Sequence, residues 1–536
     1  MITGIRIRNL RSLKDTGDIQ LKKLNILLGI NSSGKSTFLR SFPLLKQSIN
    51  RDLRNAISWY DSASVDFGDY ATSINREANG EPISFEFIIS KPYNNRFLYF
   101  YTGYYTIKNS LNQDNSPIRV RIDYREDNSG TYVQTVTIND GVNECSVISK
   151  ERTSDLSFAV NGKEQEGEFN GIRFGRYLHS QLVPLIEFYD KNNNRRGRGF
   201  DATDYMREKI RSRLKKYCNR HLKKVERLDE VIDLWNKDKR VFLRNLKQRL
   251  TITSFKKTAQ SWSIDSQEFV DIYSRILCLQ VIDYLEFINN EVTLYYSNCS
   301  YIAPVRAEAI RYYREQGLQV EDIDPYGKNL QEFISSLNKD MTDSYMNYCI
   351  HVLGVYPVIT PFGGQNSISL RSPDSELTNL TDVGFGYSQI LPIVTKLWYA
   401  TQAFTPTGSY LKNALQETVL IEQPELHLHP AMQAKIADAL IECVLQGTKS
   451  AAVLQENENR MNDSLSDYRL IVETHSSSIV NRIGRRIREG KLSPDDVTIV
   501  LFEKKLGDNN TVVKQIGYNK EGRLLDWPYG FFEPND

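Results

Sequence analysis

The sequence predicts an α/β fold that is interrupted by a helical, basic insertion. Short apolar strands alternate with helical stretches before about residue 110 and after residue 300. Residues 117–150 continue the strand pattern, and from about residue 175 to 295 apolar residues recur at three- and four-residue steps, the spacing of helices. A glycine-rich loop, GINSSGKST, follows an apolar strand and precedes a helix. We therefore divide the chain into an N-terminal lobe (1–115), a β-rich part of that lobe or of the insertion (116–175), a helical basic arm (176–298) and a C-terminal lobe (299–536).

The chain has 536 residues, which is too long for a single compact core, so we expect two or three structural units. Its composition is that of a soluble globular protein. Six cysteines lie scattered without a C-x-x-C pair, which argues against a disulfide framework or a zinc ribbon and favours a reducing compartment. The N-terminus reads as a strand without the apolar region of a signal peptide. No stretch has the roughly 20 apolar residues of a membrane span. We expect a cytoplasmic protein with no membrane contact.

The glycine-rich loop predicts a phosphate-binding P-loop. In that motif the glycines let backbone N–H groups surround the phosphates, the lysine reaches the outer phosphates and the following serine hydroxyl binds Mg²⁺. The nucleotide-binding residues of this loop are predicted to be Asn31, Ser32, Ser33, Gly34, Lys35, Ser36 and Thr37.

A second strand, VLIEQPELHLHP at positions 419–430, ends in an acidic residue. Glu422 stands at the end of the apolar run, where its carboxylate can hold Mg²⁺ together with Ser36. Pro424 ends the strand, and Pro430 can start the next helix. The predicted metal site is therefore Ser36 and Glu422.

Two further stretches place chemical groups near a phosphate. RLIVETHSSSIV is an apolar strand that ends in Glu473, Thr474 and His475. Its carboxyl end faces the crevice where α/β sheets bind ligands, so His475 is predicted to contact the γ-phosphate. In TDVGFGYSQILPIV, Gly384 and Gly386 open an apolar helix, and the backbone there can approach a phosphate.

The order of these motifs resembles that of the ABC-type ATPases, within them the head domains of the SMC, Rad-fifty and OLD group. GINSSGKST is similar to their Walker A motif, VLIEQPELHLHP to Walker B, ETHSSS to the switch-histidine loop and VGFGYSQ to a diverged signature motif. YIAPVRAEAIRYYR, DIDPYGKNLQEFI and GRLLDWPYGFF further resemble the PtuA-like defence ATPases of Septu and retron-linked systems. The resemblance implies an ABC-type head, with a mixed sheet flanked by helices and an antiparallel β subdomain, that binds ATP and Mg²⁺.

The resemblance also implies partners. Such heads dimerise so that each P-loop faces the signature motif of the other subunit, which assigns Gly386 and Ser388 to the partner's nucleotide. Gly384 stands where the signature serine is usual, so that hydroxyl is missing here. A homodimer or higher homo-oligomer is expected. About 60 residues remain after His475, too few for the nuclease domain of OLD relatives, so DNA cleavage would fall to a separate HNH-type nuclease.

By the same alignment, Glu422 takes the magnesium position and Gln423 the position of the catalytic glutamate. An amide can orient water but cannot accept its proton at neutral pH, so slow hydrolysis is predicted. Glu425, or Glu473 beside His475, could replace the missing base. The candidate catalytic residues are Glu422, Gln423, Glu425 and His475.

Positive charge is concentrated in residues 191–257, which hold 22 Lys and Arg against 8 Asp and Glu, a net +14. The insertion is too short and too weakly heptad-patterned for a long coiled coil. Its basic face could follow the phosphate backbone of DNA or of a reverse-transcribed DNA–RNA hybrid. A solvated helix face or a dock for an acidic protein explains the charges equally well. The residues of this face are Arg195, Arg196, Arg198, Arg207, Arg211, Arg213, Lys215, Lys216, Lys223 and Lys224.

Three functions fit these features. The leading one is an ATPase that acts as sensor or regulator of a bacterial antiphage complex and gates a partner nuclease. The second is a DNA-repair or maintenance ATPase like the SMC, Rad-fifty and OLD heads, against which the short insertion argues. The third is a nucleotide-binding scaffold that scarcely hydrolyses ATP, a reading that Gln423 keeps open.

Overall fold

The computed structural model shows how the two lobes join. It describes residues 1–49, 55–90, 116–165, 169–175, 181–190, 195–198, 200–218, 224–314, 317, 320, 322–372, 376–402, 416–457, 467–504 and 510–526.

Most of the N-terminal strands form one antiparallel sheet. In chain order the strands are β1 (Ile2–Leu10), β2 (Leu13–Asp15), β3 (Ile19–Gln20), β4 (Leu24–Gly29), β5 (Ile83–Ile89), β6 (Ile118–Asp127), β7 (Gly130–Asn139), β8 (Glu144–Ser149), β9 (Leu156–Val160) and β10 (Lys163–Gln165). All except β4 belong to this sheet, in the order β10-β9-β8-β7-β6-β5-β1-β2, with β3 paired to β1. The β-rich stretch after residue 116 therefore continues the sheet of the N-terminal lobe.

The remaining strands form three sheets in the described part of the chain. They are β11 (Ile172–Phe174), β12 (Ile186–Tyr189), β13 (Arg195–Arg198), β14 (Cys299–Ile302), β15 (Tyr313–Arg314), β16 (Tyr356–Phe362), β17 (Gln365–Arg371), β18 (Thr378–Asn379), β19 (Gln416–Glu422), β20 (Asp467–Glu473), β21 (Val497–Glu503) and β22 (Val512–Ile516). Two small sheets have the orders β11-β12-β13 and β15-β17-β16, with β18 beside β17. The central sheet has the order β14-β19-β20-β4-β21-β22, and only β22 runs antiparallel to its neighbour.

Helices cover the central sheet and fill the insertion. They are α1 (Lys35–Ile49), α2 (Tyr70–Ser73), α3 (Phe200–Leu214), α4 (Asp229–Asp233), α5 (Lys239–Gln248), α6 (Thr253–Gln260), α7 (Gln267–Ser297), α8 (Leu330–Ser336), α9 (Lys339–Leu353), α10 (Phe385–Gln402), α11 (Pro430–Asn457) and α12 (Ser477–Arg488). Short 3₁₀ turns cover Lys215–Tyr217, Val225–Leu228, Leu380–Asp382 and Pro494–Asp496. Across the described ranges, no helix combines the length and apolar character needed to cross a bilayer.

The central sheet separates two hydrophobic cores. Alternate residues of its strands enter opposite cores: Leu27 and Leu420 lie in the first, whereas Ile26 and Ile421 lie in the second. This is the pattern of a parallel sheet that is covered on both faces. The first core contains α1, the antiparallel sheet and the insertion, and the second contains α8 to α12. The predicted α/β fold, with a mixed sheet and an antiparallel β subdomain, is confirmed.

The insertion differs from the expected arm in two ways. Strands β12 and β13 lie within residues 176–298, which were expected to be helical. The helices also share the first core instead of standing apart from it. On α7, for example, the ring of Tyr296 lies 5.8 Å from that of Phe42 on α1. Aromatic residues on α7 thus fix the insertion to the P-loop helix.

Candidate functional site

The predicted P-loop connects β4 to α1 at the carboxyl edge of the central sheet. Gly34 has φ +96°, and an added Cβ would lie 2.7 Å from Ser12 Oγ and from Leu13 Cδ2, so only glycine fits. Ser32 also has a left-handed backbone, and Asn31 and Ser32 are exposed. The loop therefore presents a tightly curved backbone to solvent, as a phosphate cradle requires.

The lysine of the loop folds back onto its backbone. Lys35 is buried, and its Nζ donates to the carbonyl oxygens of Gly29 at 3.0 Å and Ile30 at 2.8 Å. Burial lowers the pKa of Lys35, opposed mainly by the negative charge of Glu473. To reach a phosphate, the ammonium group must exchange these carbonyl contacts for the stronger charge-assisted contacts of the ligand.

Two carboxylates end neighbouring strands in register. Glu422 on β19 pairs with Glu473 on β20, and β20 lies between β19 and the P-loop strand β4. Glu473 is therefore one strand nearer to the P-loop. The hydroxyl of Ser36 donates to Glu473 Oε1 at 2.8 Å. Burial, and next the charge of Glu422, raise the pKa of Glu473 to about 7.

Glu422, predicted to hold the metal with Ser36, is occupied by other groups. Arg40 donates to both of its carboxylate oxygens, from Nε at 2.8 Å and Nη2 at 2.6 Å. The hydroxyl of Tyr301 donates to Oε2 at 2.6 Å. The structure thus does not bring Glu422 against Ser36, because β20 intervenes and Arg40, one helical turn after Ser36, reaches Glu422 first.

Gln423 has an unusual backbone that is held from both sides. Its φ is +45°, its N–H donates to the carbonyl oxygen of Glu473 at 2.8 Å, and its carbonyl oxygen accepts from Arg306 Nη2 at 3.2 Å. Arg306 is 2% exposed, and it also donates to the carbonyl oxygen of Glu422 at 3.1 Å. Burial lowers the pKa of Arg306 to about 10. The amide thus sits on a fixed backbone, which suits a water-orienting group.

Glu425, a candidate base, is tied to the loop that follows β20. Its Oε2 accepts from Thr474 Oγ1 at 2.8 Å and its Oε1 accepts from the backbone N–H of His475 at 2.6 Å. Burial raises the pKa of Glu425. Desolvation, and next the charge of Lys35, lower the pKa of His475, so its imidazole is neutral at neutral pH. The structure thus brings Glu425 and His475 together. The sequence alone could not show this contact.

The residues assigned to the partner's nucleotide differ in accessibility. Gly384 has φ +98°, and Phe385 is 42% exposed with its ring 4.9 Å from that of His427. Gly386 is partly exposed, so its backbone can be approached. Ser388 is buried and donates its hydroxyl to the carbonyl oxygen of Phe385 at 2.7 Å. Ser388 was expected to reach the partner's nucleotide from the surface, but in this conformation its side chain is buried.

The proposed basic face is interrupted by ion pairs. Arg211 makes two hydrogen bonds to Asp229, at 2.8 and 2.6 Å, and Arg213 lies 3.1 Å from Asp271. Carboxylates also lie near Arg195 and Arg207. The side chains of Arg196, Arg198 and Lys223 lie outside the described part of the chain. Within the described part of this face, the residues that are exposed and have no ion pair with another described residue are Lys215, Lys216 and Lys224.

Four contributors to the site were not predicted: Arg40, Tyr301, Arg306 and Thr474. Of these four, only Arg40 could have been identified from the sequence. It lies four residues after Ser36 and therefore on the same face of α1. Tyr301 and Arg306 lie in a stretch that the resemblance had singled out without giving it a role. Their contacts to β19 depend on the strand order.

The residues of the site fit magnesium if a nucleotide supplies further ligands. A hydroxyl and carboxylates are the hard oxygen donors that Mg²⁺ prefers. Glu473 Oε2 and Ser33 Oγ are both buried, and neither has a hydrogen-bond partner among the described residues. Among the residues that the structure describes, no group of three or more His, Cys, Asp or Glu is placed to hold a metal. Phosphate oxygens and water would have to complete the coordination.

Comparison with known proteins gives a family and weak structural likenesses. A family model for the AAA ATPase domain, AAA_15, matches residues 1–480, which include the P-loop, Glu422 and His475. No curated protein matches the chain. The SMC head domain of Pyrococcus furiosus with an extended coiled coil, bound to the C-terminal domain of ScpA, is 11% identical, with 96% of each chain covered and a TM-score of 0.31. The SMC head domain of Thermotoga maritima is 8% identical over 96% of this chain and 98% of that chain, with a TM-score of 0.32.

Proposed function

The chain belongs to the AAA ATPase domain family, and from that premise we propose that it is a slow ATPase. It keeps ATP and Mg²⁺ bound for longer than most such enzymes take to hydrolyse ATP. The observation that carries the slowness is Gln423, an amide at the end of the acidic strand. Its backbone is fixed by Glu473 and Arg306. A glutamine there orients water without accepting its proton.

Two of the neighbouring carboxylates, Glu422 and Glu425, do not readily replace the base. Glu425 accepts hydrogen bonds on both oxygens, from Thr474 and His475. Glu422 is held by Arg40 and Tyr301. For either group to take a proton from water, these contacts must rearrange. The proposal therefore includes a slow step that moves the loop of His475 before or during hydrolysis.

The test is ATP binding and turnover by the purified protein. Wild-type protein should bind ATP and hydrolyse it slowly, and Lys35→Ala should abolish both, because the ammonium group pairs with the outer phosphates. Lys14→Ala, at an exposed lysine outside the loop, is the matched control and should change neither. Turnover that survives Lys35→Ala would contradict the proposal. Binding without any turnover would leave the rival function, a nucleotide-binding scaffold.

We further propose that the chain works as a homodimer or higher homo-oligomer in the cytoplasm. The head-to-head arrangement implied by the sequence resemblance places Gly386 and Ser388 of one subunit at the nucleotide of the other, and we add the exposed Phe385, which precedes Gly386, to that surface. ATP held by a slow active site then keeps the two subunits together. Hydrolysis releases them, so the nucleotide state becomes the signal.

The biological role we propose is the sensor of a PtuA-like antiphage system that controls an HNH-type nuclease. It is supported by the three stretches quoted above, which resemble that family, and by no contact in the structure. Deletion of the adjacent nuclease gene should abolish phage resistance. Resistance that persists without it would favour the alternative, a DNA-repair or maintenance ATPase.

For nucleic acid, the proposal now depends on the three exposed lysines of the basic face, Lys215, Lys216 and Lys224. Their reversal to glutamate should release bound DNA or DNA–RNA hybrid and flatten the salt dependence of binding. Reversal of three lysines at distant sites, Lys339, Lys491 and Lys520, is the matched control. Equal retention by both variants would remove nucleic acid from the proposal.

A further inference from the structure

We propose that Glu473, and not Glu422, is the carboxylate that meets magnesium beside Ser36, directly or through one water. Glu422 then has a different task, which is to fix Arg40 and Tyr301 under the site. The inference rests on the proposed function, since it concerns the ion that accompanies ATP.

Glu473 lies within hydrogen-bond distance of the P-loop serine, Ser36. The serine after the P-loop lysine supplies a metal ligand through its oxygen lone pairs. In this structure the proton of that hydroxyl points to Glu473, over 2.8 Å. A serine can donate to Glu473 and present its lone pairs to a cation at once. An ion at Ser36 would therefore have the carboxylate of Glu473 beside it without any change of backbone.

One carboxylate oxygen of Glu473 is unused. Glu473 is 1% exposed, and its Oε2 has no hydrogen-bond partner in the described part of the chain. A buried acceptor without a partner is unfavourable, and a negative one more so. A cation or its bound water at Ser36 would supply the missing partner. This oxygen independently points to a ligand at the position where the P-loop motif expects one.

Glu422 is already held by other groups and is not free to bind an ion at Ser36. Both of its oxygens accept from Arg40 in a bidentate pair, and one accepts from Tyr301 as well. To bind an ion at Ser36, Glu422 would have to give up this bidentate pair with Arg40, whose side chain is 34% exposed. Glu473 also ends β20, the strand that lies between the strand of Glu422 and the P-loop strand β4.

The experiment compares nucleotide affinity with and without the metal. Titration calorimetry with ATP in excess EDTA and in Mg²⁺ gives, for each protein, the gain in affinity due to the ion. Glu473→Gln keeps the acceptor for Ser36 but lacks the charge. We expect it to lose about 10- to 100-fold of the Mg²⁺-dependent gain and to keep its affinity in EDTA. Glu422→Gln should keep that gain.

A second readout follows the metal itself. With ADP present and Mn²⁺ in place of Mg²⁺, electron paramagnetic resonance measures the free ion, and Glu473→Gln should leave more Mn²⁺ free than wild type or Glu422→Gln. Thermal unfolding of each variant shows that it is folded.

The outcomes separate this inference from the proposed function. If Glu422→Gln loses the Mg²⁺-dependent gain and Glu473→Gln keeps it, the inference is overturned while ATP binding stands. Equal gains in all three proteins would also overturn it. If wild type binds no ATP in either buffer, the proposed function itself fails.

Discussion

Arg306 donates from Nη2 to the carbonyl oxygen of Gln423 over 3.2 Å, and so joins the segment after β14 to the strand end that orients water. The guanidinium is buried, and its Nε and Nη1 have no hydrogen-bond partner among the residues that the structure describes. Such burial is costly, and it lowers the pKa of Arg306. A group kept at that cost is expected to position Gln423.

Arg306→Met should therefore slow ATP turnover, by up to about 100-fold, because a shift of the water-orienting group near 1 Å has effects of that size. ATP affinity should stay the same, since the P-loop is untouched. The melting temperature should not fall, because methionine removes the buried charge. Steady-state kinetics, titration calorimetry and thermal unfolding measure the three quantities.

The matched control is Arg275→Met on α7, where a buried arginine pairs with Asp271 at 2.9 Å, away from the site. It should lower stability and leave the turnover of folded protein unchanged. If Arg306→Met instead behaves like the control, Arg306 is only structural.

Gln423→Glu should raise turnover by about 100-fold or more, because a carboxylate at this position can accept the proton of the attacking water. The closed, ATP-bound state should become shorter-lived. Single-turnover hydrolysis and the decay of the ATP-bound oligomer measure the two effects. Gln248→Glu, at an exposed position at the end of α5, adds the same charge elsewhere and should change neither. Unchanged turnover in Gln423→Glu would contradict the proposal that Gln423 makes hydrolysis slow.

The sequence predicted those parts of the site that depend on local order. The P-loop between a strand and a helix, and the start of α11 at Pro430, follow from glycine, proline and apolar patterns within a few residues. The partner of Glu422 did not follow, because it depends on which strands are neighbours. The chain order places β19 before β20, yet nothing local shows that β20 lies against β4. The packing of the insertion onto α1 is equally non-local.

Asp283 on α7 should make stability depend on pH. Burial, and next the charge of Glu286, raise the pKa of Asp283 to about 7, opposed by Arg207. An aspartate in the unfolded chain has a pKa of about 3.9. Between these values the folded state binds more protons, so stability falls as pH rises from about 4 to about 7, by roughly 1.4 kcal/mol per pH unit at most.

Asp283→Asn should make this slope shallower and stabilise the protein above pH 7, and the slope that remains should include that of Glu473, whose pKa burial also raises to about 7. Chemical denaturation at several pH values gives the free energy of unfolding for both proteins. Asp495→Asn, at an exposed aspartate after α12, is the control and should keep the slope of wild type. A wild-type stability that is flat from pH 4 to pH 7 would contradict the prediction.

Phe385 should be needed for the ATP-dependent dimer and not for ATP binding. It is 42% exposed at the start of α10, where it packs edge-to-face on His427 in the segment that follows Glu425. An aromatic ring that stays exposed beside two glycines is typical of the buried centre of an interface. Phe385→Asp would place a charge there, and a dimer buries such a charge only at high cost. Light scattering with ATP should therefore give a dimer for wild type and a monomer for Phe385→Asp, with equal ATP affinity in calorimetry.

The matched control is Phe362→Asp, at a ring that is 66% exposed at the tip of the β16–β17 hairpin and stacks on Tyr312. If Phe362→Asp abolishes the dimer and Phe385→Asp does not, the two subunits meet through the hairpin, and the head-to-head arrangement is wrong.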